Sequence, residues 1–464
     1  MSQASTLKAS LESLREQPDR LIEIILRQAG VIEELRTEIQ SLKDQIKDLN
    51  DRNDGLSAKV AALEQKAARQ AAPFRIREQQ RKAAPQKPGR KAGHAGSCRP
   101  IPVVVDEQIV VPLTACPQCG RKVGRCRPVV QYLEELPVVR PRVIQLITQE
   151  AHCPCCRQRV RSSHPLQVSL ARGAAGVQLG PRVLGLAATL NKQYGLTMRK
   201  TCAVLKSLFG LKLSPGGLAQ ALKRLAGKLE PAYEKLMTRL RDGPYVHSDE
   251  TSWWVGGPGY WLWVFADKRT TVYRVAQGRG RQVLTDTLGE TFGGVLVSDC
   301  LATYDDFNPL QQKCYSHHLK AIGHALEDSP SVWLEELRWL LQGAMDLKKQ
   351  PKEVAQRAAL EQKLNELLAK PRPTNVEEKV RRRLDKQKDH LFTFLDHAEV
   401  EATNNLAERQ LRPAVIARKV SCGNKTTVGA RTWEILTSLA ATCHQRGESF
   451  SALASQAALL SHAR

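Results

Sequence analysis

The stretch YVHSDETSWWVGGPGYWLWVFADKRTTVYRVAQGRGRQVLTDTLGETFGGVLVSD (residues 245–299) decides the fold of this chain. It contains three runs rich in β-branched and aromatic residues, YVHSDETSWW, YWLWVFA and TVYRV, which predict strands. The turns between them are short, so we expect an antiparallel meander. A helical segment, RQVLTDTLGE, and an apolar strand, GVLVSD, follow. The predicted order is therefore β-β-β-α-β.

Two aspartates lie on this framework, Asp249 in the first strand and Asp299 at the end of the fourth. A strand that returns through a crossover helix pairs parallel to an earlier strand. If the fourth strand lies beside the first, both carboxylates point into one crevice, where α/β sheets place their sites. With a third carboxylate from a helix, such a pair can hold two Mg²⁺ ions that act on a phosphodiester.

Spacing alone does not single out these two acids. An aspartate at a strand–turn junction is more often a turn former than a ligand. The rival acids in the same region are Glu250, Asp267, Asp286, Asp305 and Asp306.

The whole chain is strongly basic, with 70 Lys and Arg against 47 Asp and Glu among its 464 residues and a formal net charge of +23. Such a protein most often binds a polyanion, and nucleic acid is the first candidate. A generally cationic surface is the alternative. No apolar run approaches the roughly 20 residues of a membrane span, and the N-terminus lacks the apolar core of a secretory signal. We therefore expect a cytoplasmic protein with no membrane partner.

A heptad repeat occupies residues 21–64. The a positions are Ile25, Ile32, Ile39, Ile46, Asn53 and Val60, and the d positions are Gln28, Leu35, Leu42, Leu49, Leu56 and Leu63. β-Branched residues at a with Leu at d favour a parallel two-stranded coiled coil, and the lone Asn53 fixes its register. A helix that packs on its own chain is the alternative. We predict that residues 1–70 join two or more copies of the chain.

A basic linker, residues 71–102, follows; it either tracks phosphates or serves only as a tether. Short β segments are predicted across residues 103–165, around two CxxC pairs. Two such pairs predict a tetrahedral zinc site, and four thiolates leave no open position, so the zinc is structural. The predicted ligands are Cys116, Cys119, Cys153 and Cys156. The alternative ligands are Cys126, His152 and Cys155.

Residues 166–243 are predicted to be helical. RKTCAVLKSLFG followed by LKLSPGGLAQALKRLAGKL indicates helix, turn and helix. Ser214 is a suitable N-cap and Pro215 suits the first helical position. The unit is either a DNA-reading helix-turn-helix or a helical hairpin in a linking region.

The third candidate acid, Glu408, lies in EATNNLAERQLRPAVIARK (residues 401–419). Pro413 lacks the N–H that bonds back to residue 409, so the helix is predicted to kink or stop there. Glu408 then lies one turn before the break. Its basic neighbours are Arg409, Arg412, Arg418 and Lys419. Arg409 and Arg412 are either phosphate contacts, or a solvated arginine and an i,i+4 partner of Glu408.

Together these motifs resemble the DDE transposases of bacterial insertion sequences, and most of all the large transposase subunit of insertion-sequence family sixty-six. VHSDETSWWV, VSDCLATYD, and TNNLAERQLRP with RKVSCGN resemble the three catalytic blocks. The heptads resemble the family's leucine zipper, KPGRKAGHAGSCRPIPV its linker, CPQCG with CPCC its zinc finger, and ARTWEILTSLAATC its C-terminal segment. The resemblance covers nearly the full length in the same module order.

The resemblance implies that Asp249, Asp299 and Glu408 are the three catalytic acids and hold two Mg²⁺ ions. It implies DNA contacts for the basic residues after Glu408. KCYSHHLK resembles the family's Cys-aromatic-small-His block, although Tyr315 stands where Trp is usual. His317 in this block either contacts the DNA substrate, orients a carboxylate, or is an ordinary helix-end or core histidine.

The expected fold is multidomain α+β, with an N-terminal coiled coil, a small zinc-binding module, a helical linking region and an RNase H-like mixed α/β catalytic core. The predicted boundaries are 1–70, 71–102, 103–165 and 166–243 for the first four segments, 244–431 for the core with an all-helical insertion at about 325–398, and 432–464 for a C-terminal helical segment.

The implied function is transposition: cleavage of transposon ends in double-stranded DNA, then joining of the 3′-hydroxyl to target DNA by two-metal transesterification. The implied partners are both DNAs, a second copy of the chain and small accessory proteins, and the bound protein is expected at the bacterial nucleoid. The alternatives are a catalytically inactive, zinc-containing regulatory protein and a purely hydrolytic RNase H-like nuclease.

Overall fold

The structure is a computed structural model that describes residues 18–71, 99–169, 176–348 and 354–459. The strands are β1 (Glu150–His152), β2 (Arg159–Arg161), β3 (Tyr245–Trp253), β4 (Tyr260–Ala266), β5 (Thr271–Gln277), β6 (Val295–Ser298) and β7 (Gln311–Lys313). The helices are α1 (Pro18–Ala71), α2 (Pro181–Ala188), α3 (Met198–Phe209), α4 (Pro215–Arg241), α5 (Gln282–Leu288), α6 (Tyr315–Asp328), α7 (Val332–Leu347), α8 (Val354–Leu368), α9 (Asn375–Gln387), α10 (Thr393–Asp396), α11 (Asn405–Ser421), α12 (Thr427–Arg446) and α13 (Phe450–Leu459). A π-helical segment, Thr189–Gln193, extends α2.

The chain divides into two compact units, Met1–Glu134 and Glu135–Arg464. The first unit contains α1, a continuous helix of 54 residues that carries the predicted heptads. Its a and d side chains from Ile25 to Val60 are exposed in the single chain, for example Ile32 at 51% and Leu49 at 62%. Residues 1–17 and 72–98 lie outside the described residues, and with them most of the predicted basic linker. Pairing of α1 with a second copy stays a prediction.

The predicted β segments around the cysteines are mostly absent from the described residues. Residues 103–111 form no strand, and regular pairing is confined to a short antiparallel hairpin in the second unit that joins Glu150 to Arg161 and His152 to Arg159. The boundary between the two units falls inside the predicted module 103–165.

The helical region before the sheet forms from residue 181 onward, whereas the described residues 166–169 and 176–180 are not helical. The Ser214 hydroxyl accepts a hydrogen bond from the Gly217 N–H at 3.0 Å, and Pro215 opens α4. α4 buries a stripe of apolar residues, including Leu218, Leu225 and Leu236, in the main core. A helix with one apolar stripe must bury it, and here the sheet and the neighbouring helices cover it.

A five-stranded mixed sheet forms the centre of the second unit, with the order β5-β4-β3-β6-β7. β3, β4 and β5 pair antiparallel, β6 pairs parallel to β3, and β7 pairs parallel to β6. The predicted β-β-β-α-β order is therefore confirmed, with the fourth strand beside the first. β7 was not predicted, because it is only three residues long and its sequence, QQK, is polar.

Alternation along β4 separates the two faces of this sheet. Trp263 and Phe265 pack into the core formed with α2, α4, α5 and α13. Leu262 and Val264 point to the opposite face and pack with residues of α11 and α12. Because successive side chains of a strand alternate between faces, the residues of β3 divide in the same way.

Helices α7 to α10 lie where the all-helical insertion is predicted, and their apolar side chains form a separate core with Val295 and Val297 of β6. Among the described helices, none combines the length and the apolar character that crossing a membrane requires.

The third block differs from the prediction at Pro413. α11 does not stop there; it runs from Asn405 to Ser421 with Pro413 inside it. Ala407, Leu411 and Ala414 pack against the sheet, and the Tyr273 hydroxyl donates to the Gln410 carbonyl in the turn before the proline. These tertiary contacts offset the hydrogen bond that proline removes.

Candidate active site

Asp249 and Asp299 lie side by side on adjacent parallel strands. The register pairs Tyr245 with Val295 and His247 with Val297, and two further steps bring Asp249 level with Asp299. β6 ends at Ser298, so Asp299 is the first residue beyond the strand, while Asp249 is in the middle of the longer β3. Ligand oxygens of the two aspartates lie within 4.8 Å of each other. The pairing predicted from the crossover is present.

Backbone N–H groups fix both carboxylates. The Glu250 N–H donates to Asp249 Oδ1 and the Leu301 N–H donates to Asp299 Oδ1, each at 2.9 Å. Burial, together with the negative charges of Glu250, Asp299 and, more weakly, Glu408, raises the pKa of Asp249 to about 7. Like charges in a partly buried crevice disfavour ionisation. This crevice therefore brings negative charges together, and a bound cation would reduce the repulsion between them.

Glu250 is the acid of this crevice that sequence reasoning set aside as a rival. Its carboxylate lies within 4.8 Å of those of Asp249 and Asp299. It accepts hydrogen bonds from Arg279, at 2.9 Å from Nε, and from the Tyr304 hydroxyl. The Arg279 guanidinium lies over the Trp261 ring at 4.5 Å from its centroid. Glu250 is thus paired with a cationic side chain, whereas the hydrogen bonds found to Asp249 and Asp299 come from backbone N–H groups.

Glu408 reaches the same face of the sheet from α11. The neighbouring residue Ala407 packs with Val264, the residue that pairs with Asp249 across β3 and β4. The Glu408 carboxylate is exposed, and its oxygen lies within 4.8 Å of Cys314 Sγ and a His317 ring nitrogen. The Cys314 thiol beside the imidazole raises the pKa of His317, and the charges of Asp299 and Glu408 act in the same direction.

Asn404 fixes the start of α11 to the sheet. Its side-chain amide donates to the Ser248 carbonyl at 2.8 Å, and its Oδ1 lies 3.1 Å from His247 Nδ1. Its backbone N–H donates to Cys314 Sγ at 3.1 Å. Burial lowers the pKa of His247 to about 4, so its ring is neutral at pH 7. Asn404 therefore makes no side-chain cap hydrogen bond, and its burial keeps it from contacting DNA. His247 was not predicted from the sequence.

The predicted DNA-contacting residues of α11 differ in their surroundings. Arg409, Arg412 and Lys419 are exposed, and among the ion pairs found in the described segments none joins Arg412 to Glu408. Arg418 donates to Thr251 Oγ1 at 3.2 Å and to Ser252 Oγ at 2.9 Å, so it ties α11 to β3.

Arg409 also lines a cavity of about 340 Å³. The other lining residues are Tyr245, His247, Lys268, Glu401, Leu406, Gln410 and Gln445.

The two CxxC pairs have the same local geometry. The Gly120 N–H donates to the Cys116 carbonyl at 2.8 Å, and the Arg157 N–H donates to the Cys153 carbonyl at 2.9 Å. Backbone hydrogen bonds from Cys119 and Cys156 lower the pKa of Cys116 and Cys153, respectively. Each pair thus forms a turn that favours the thiolate of its first cysteine. The pairs belong to different units, so their joining around one zinc ion stays a prediction.

Comparison with known proteins identifies a family that matches this part of the chain. The family described as Transposase IS66 family matches residues 176–432, which include the sheet, all three candidate acids and the helical insertion.

An uncharacterised protein of Sinorhizobium fredii, y4qI, is similar to this chain, with 27% identity over 285 residues that cover 51% of the chain and 51% of the relative. The matched segment thus spans about half the length of that curated relative. Because the family match extends over more than half of the sequence, the chain belongs to the IS66 family of transposases.

Proposed function

We propose that this chain is a DDE transposase that cuts transposon ends and joins the freed 3′-hydroxyl to target DNA. The single observation that carries the proposal is the paired position of Asp249 and Asp299 on adjacent parallel strands, with α11 packed on the same sheet face. The antiparallel meander followed by a parallel fourth strand also supports the RNase H-like core that the family resemblance implies.

The residues of the crevice fit divalent metal ions. Asp249 and Asp299 offer oxygen ligands within 4.8 Å of each other, and their mutual repulsion contributes to the raised pKa of Asp249. Mg²⁺ prefers such oxygen donors and retains several waters. Asp249, Asp299 and Glu408 would hold two ions, which when bound activate the attacking hydroxyl and stabilise the leaving oxygen of a phosphodiester.

The protein holds the three candidate catalytic acids in position. β3 and β6 hold the two aspartates at one level, while Asn404 and the apolar face of α11 fix the helix that carries Glu408. Arg279 forms an ion pair with Glu250 and the Tyr304 hydroxyl donates to it, so both partners hold this carboxylate in place beside the aspartates. Such preorganisation places the groups before DNA arrives, which is how phosphoryl-transfer enzymes act.

Exposed cations on α11, the helix that carries Glu408, suit a DNA backbone. We assign Arg409, Arg412 and Lys419 to phosphate contacts, since all three are exposed on α11. Arg418 and His317 remain candidates for DNA contacts, although Arg418 already bonds to Thr251 and Ser252. The net charge of +23 favours association with DNA from a distance.

The remaining modules complete the proposal. α1 joins two chains as a coiled coil, so that two transposon ends are held together. Cys116, Cys119, Cys153 and Cys156 bind one structural Zn²⁺. Small accessory proteins are further candidate partners.

The test is a DNA assay with the full chain, Mg²⁺ and fragments that carry the inverted repeats flanking the coding sequence. We expect nicking at the fragment ends and covalent joining of the 3′ ends to a target plasmid. Binding without cutting indicates the inactive regulatory protein, and cutting without joining indicates the hydrolytic nuclease; either result would reject the transposase.

A further inference from the structure

Beside the all-oxygen crevice, the structure places a second group of potential metal ligands with different chemistry. Cys314 Sγ, a His317 ring nitrogen and a Glu408 carboxylate oxygen all lie within 4.8 Å of one another. We propose that these three side chains form a second metal site, specific for a zinc-class transition ion, which competes with the carboxylate crevice for Glu408.

The fold holds the sulfur ligand, Cys314 Sγ, in a fixed place. Cys314 is fully buried directly after β7 and occupies the N-cap position of α6. Its Sγ accepts a hydrogen bond from the backbone N–H of Asn404 at 3.1 Å. A hydrogen bond from a backbone N–H to sulfur is stronger for a thiolate than for a thiol, and a thiolate is the form that binds metal.

The imidazole is available as a ligand. His317 lies one turn into α6 from Cys314, on the same side of the helix, because residues three apart are neighbours on a helix surface. Its Nδ1 is buried and makes no hydrogen bond to any part of the chain that the structure describes. A buried, unpartnered ring nitrogen is costly unless a ligand satisfies it.

Donor chemistry distinguishes the two groups. A set of Cys, His and Glu suits Zn²⁺, which is bound by thiolate, imidazole and carboxylate, whereas Mg²⁺ takes oxygen ligands. Three protein ligands leave one tetrahedral position open. Because Glu408 belongs to the mixed group, a zinc-class ion there withdraws the third acid from the aspartates and inhibits catalysis. This consequence rests on the proposed function, whereas the metal site itself does not.

The test uses the reduced, chelator-treated full chain titrated with Co²⁺ alone, without DNA. Thiolate-to-cobalt charge-transfer absorption reports the sulfur ligands, and equilibrium dialysis reports the number of ions. We expect Cys314→Ser to bind one ion fewer than wild type and to lose the matching absorption. Cys422→Ser, which changes an exposed cysteine outside the group, is the matched control and should match wild type.

Because Cys314 is buried, its serine variant is paired with two changes that do not alter the core: Glu408→Gln at an exposed position and His317→Gln at a half-buried one. Each should weaken Co²⁺ binding at this site at least about tenfold. Equal Co²⁺ stoichiometry and affinity in wild type and Glu408→Gln would overturn the proposal. The result is independent of whether the chain cuts or joins DNA.

Discussion

At the scale of single residues, the crevice depends on neutral partners as much as on its acids. Asn404 is fully buried, and its side chain reaches both His247 and the Ser248 carbonyl. It thereby connects the strand that carries Asp249 to the helix that carries Glu408. Neither contact was predictable, because residues more than 150 positions apart in sequence make them.

Replacing Asn404 by Ala should therefore destabilise the fold. The change leaves a buried imidazole nitrogen and a buried carbonyl unpaired, which costs about 1–3 kcal/mol of unfolding free energy. Urea denaturation of the full chain measures the loss. The exposed Asn405→Ala is the control, and similar losses for the two variants would show that the buried bonds contribute little.

A single substitution at Arg409 also tests the proposed DNA contacts. If it neutralises one phosphate, Arg409→Ala should reduce the slope of log K against log salt concentration by about 0.9 for duplex DNA. Arg382→Ala, on the exposed surface of α9, is the control because Arg382 pairs with Glu378. An unchanged slope for Arg409→Ala would remove it from the DNA-contacting surface.

At the scale of elements, the third catalytic block contacts the sheet in two places: through α11 and through the segment RKVSCGN at the end of that helix. Gly423 follows α11 with φ of +92°, and a Cβ there would lie 2.6 Å from the Trp254 carbonyl oxygen. Asn424 completes the contact, since its N–H donates to the same carbonyl and its Oδ1 accepts from Trp253 Nε1, both at 2.8 Å. RKVSCGN therefore holds α11 against the β3–β4 turn.

Gly423→Ala should destabilise the chain by roughly 1–3 kcal/mol, because alanine is strained in this backbone conformation and meets the Trp254 carbonyl. Gly227→Ala is the opposite case: it lies in the exposed interior of α4 with open space around it, and should stabilise by about 0.5–1 kcal/mol. Thermal unfolding of both variants checks the two signs, and a stabilising Gly423→Ala would contradict the docking role.

The helices and strands also show how much of the fold local sequence patterns predict. The meander, the parallel fourth strand and the Ser214 cap were predicted, because hydrophobic periodicity and turn chemistry are local. β7 was not predicted, because its three residues are polar and are buried by neighbouring elements, so its own composition carries no strand signal. Pro413 does not end α11, because the packing of this helix against the sheet outweighs the local effect of proline. Glu250 was named only as a rival acid, because spacing along the sequence does not show which carboxylates meet in space.

At the scale of the whole molecule, α1 is a long helix whose apolar seam the single chain leaves exposed. From Ile25 to Leu56, its Ile and Leu side chains at the a and d positions are about half exposed or more, which is costly in water unless a second helix covers them. The three candidate catalytic acids, Asp249, Asp299 and Glu408, by contrast, all belong to the second unit.

Ile39→Glu in the full chain should therefore weaken self-association, because it places a charge in the seam of each paired helix. Ser41→Glu, at a c position of the same heptad, is the matched control and should leave the oligomer intact. Light scattering after size-exclusion chromatography gives the mass. A monomeric wild-type chain, or equal masses for the two variants at low concentration, would reject the coiled coil.

The central claim is that Asp249, Asp299 and Glu408 act as one catalytic set, and end cleavage by single variants tests it most directly. Asp249→Asn, Asp299→Asn and Glu408→Gln keep size while removing charge, and each should lower Mg²⁺-dependent cleavage and joining by roughly 10³-fold or more without loss of DNA binding. Asp286→Asn, a rival acid exposed on α5, should cleave like wild type. Near wild-type cleavage in any of the three acid variants would contradict the account.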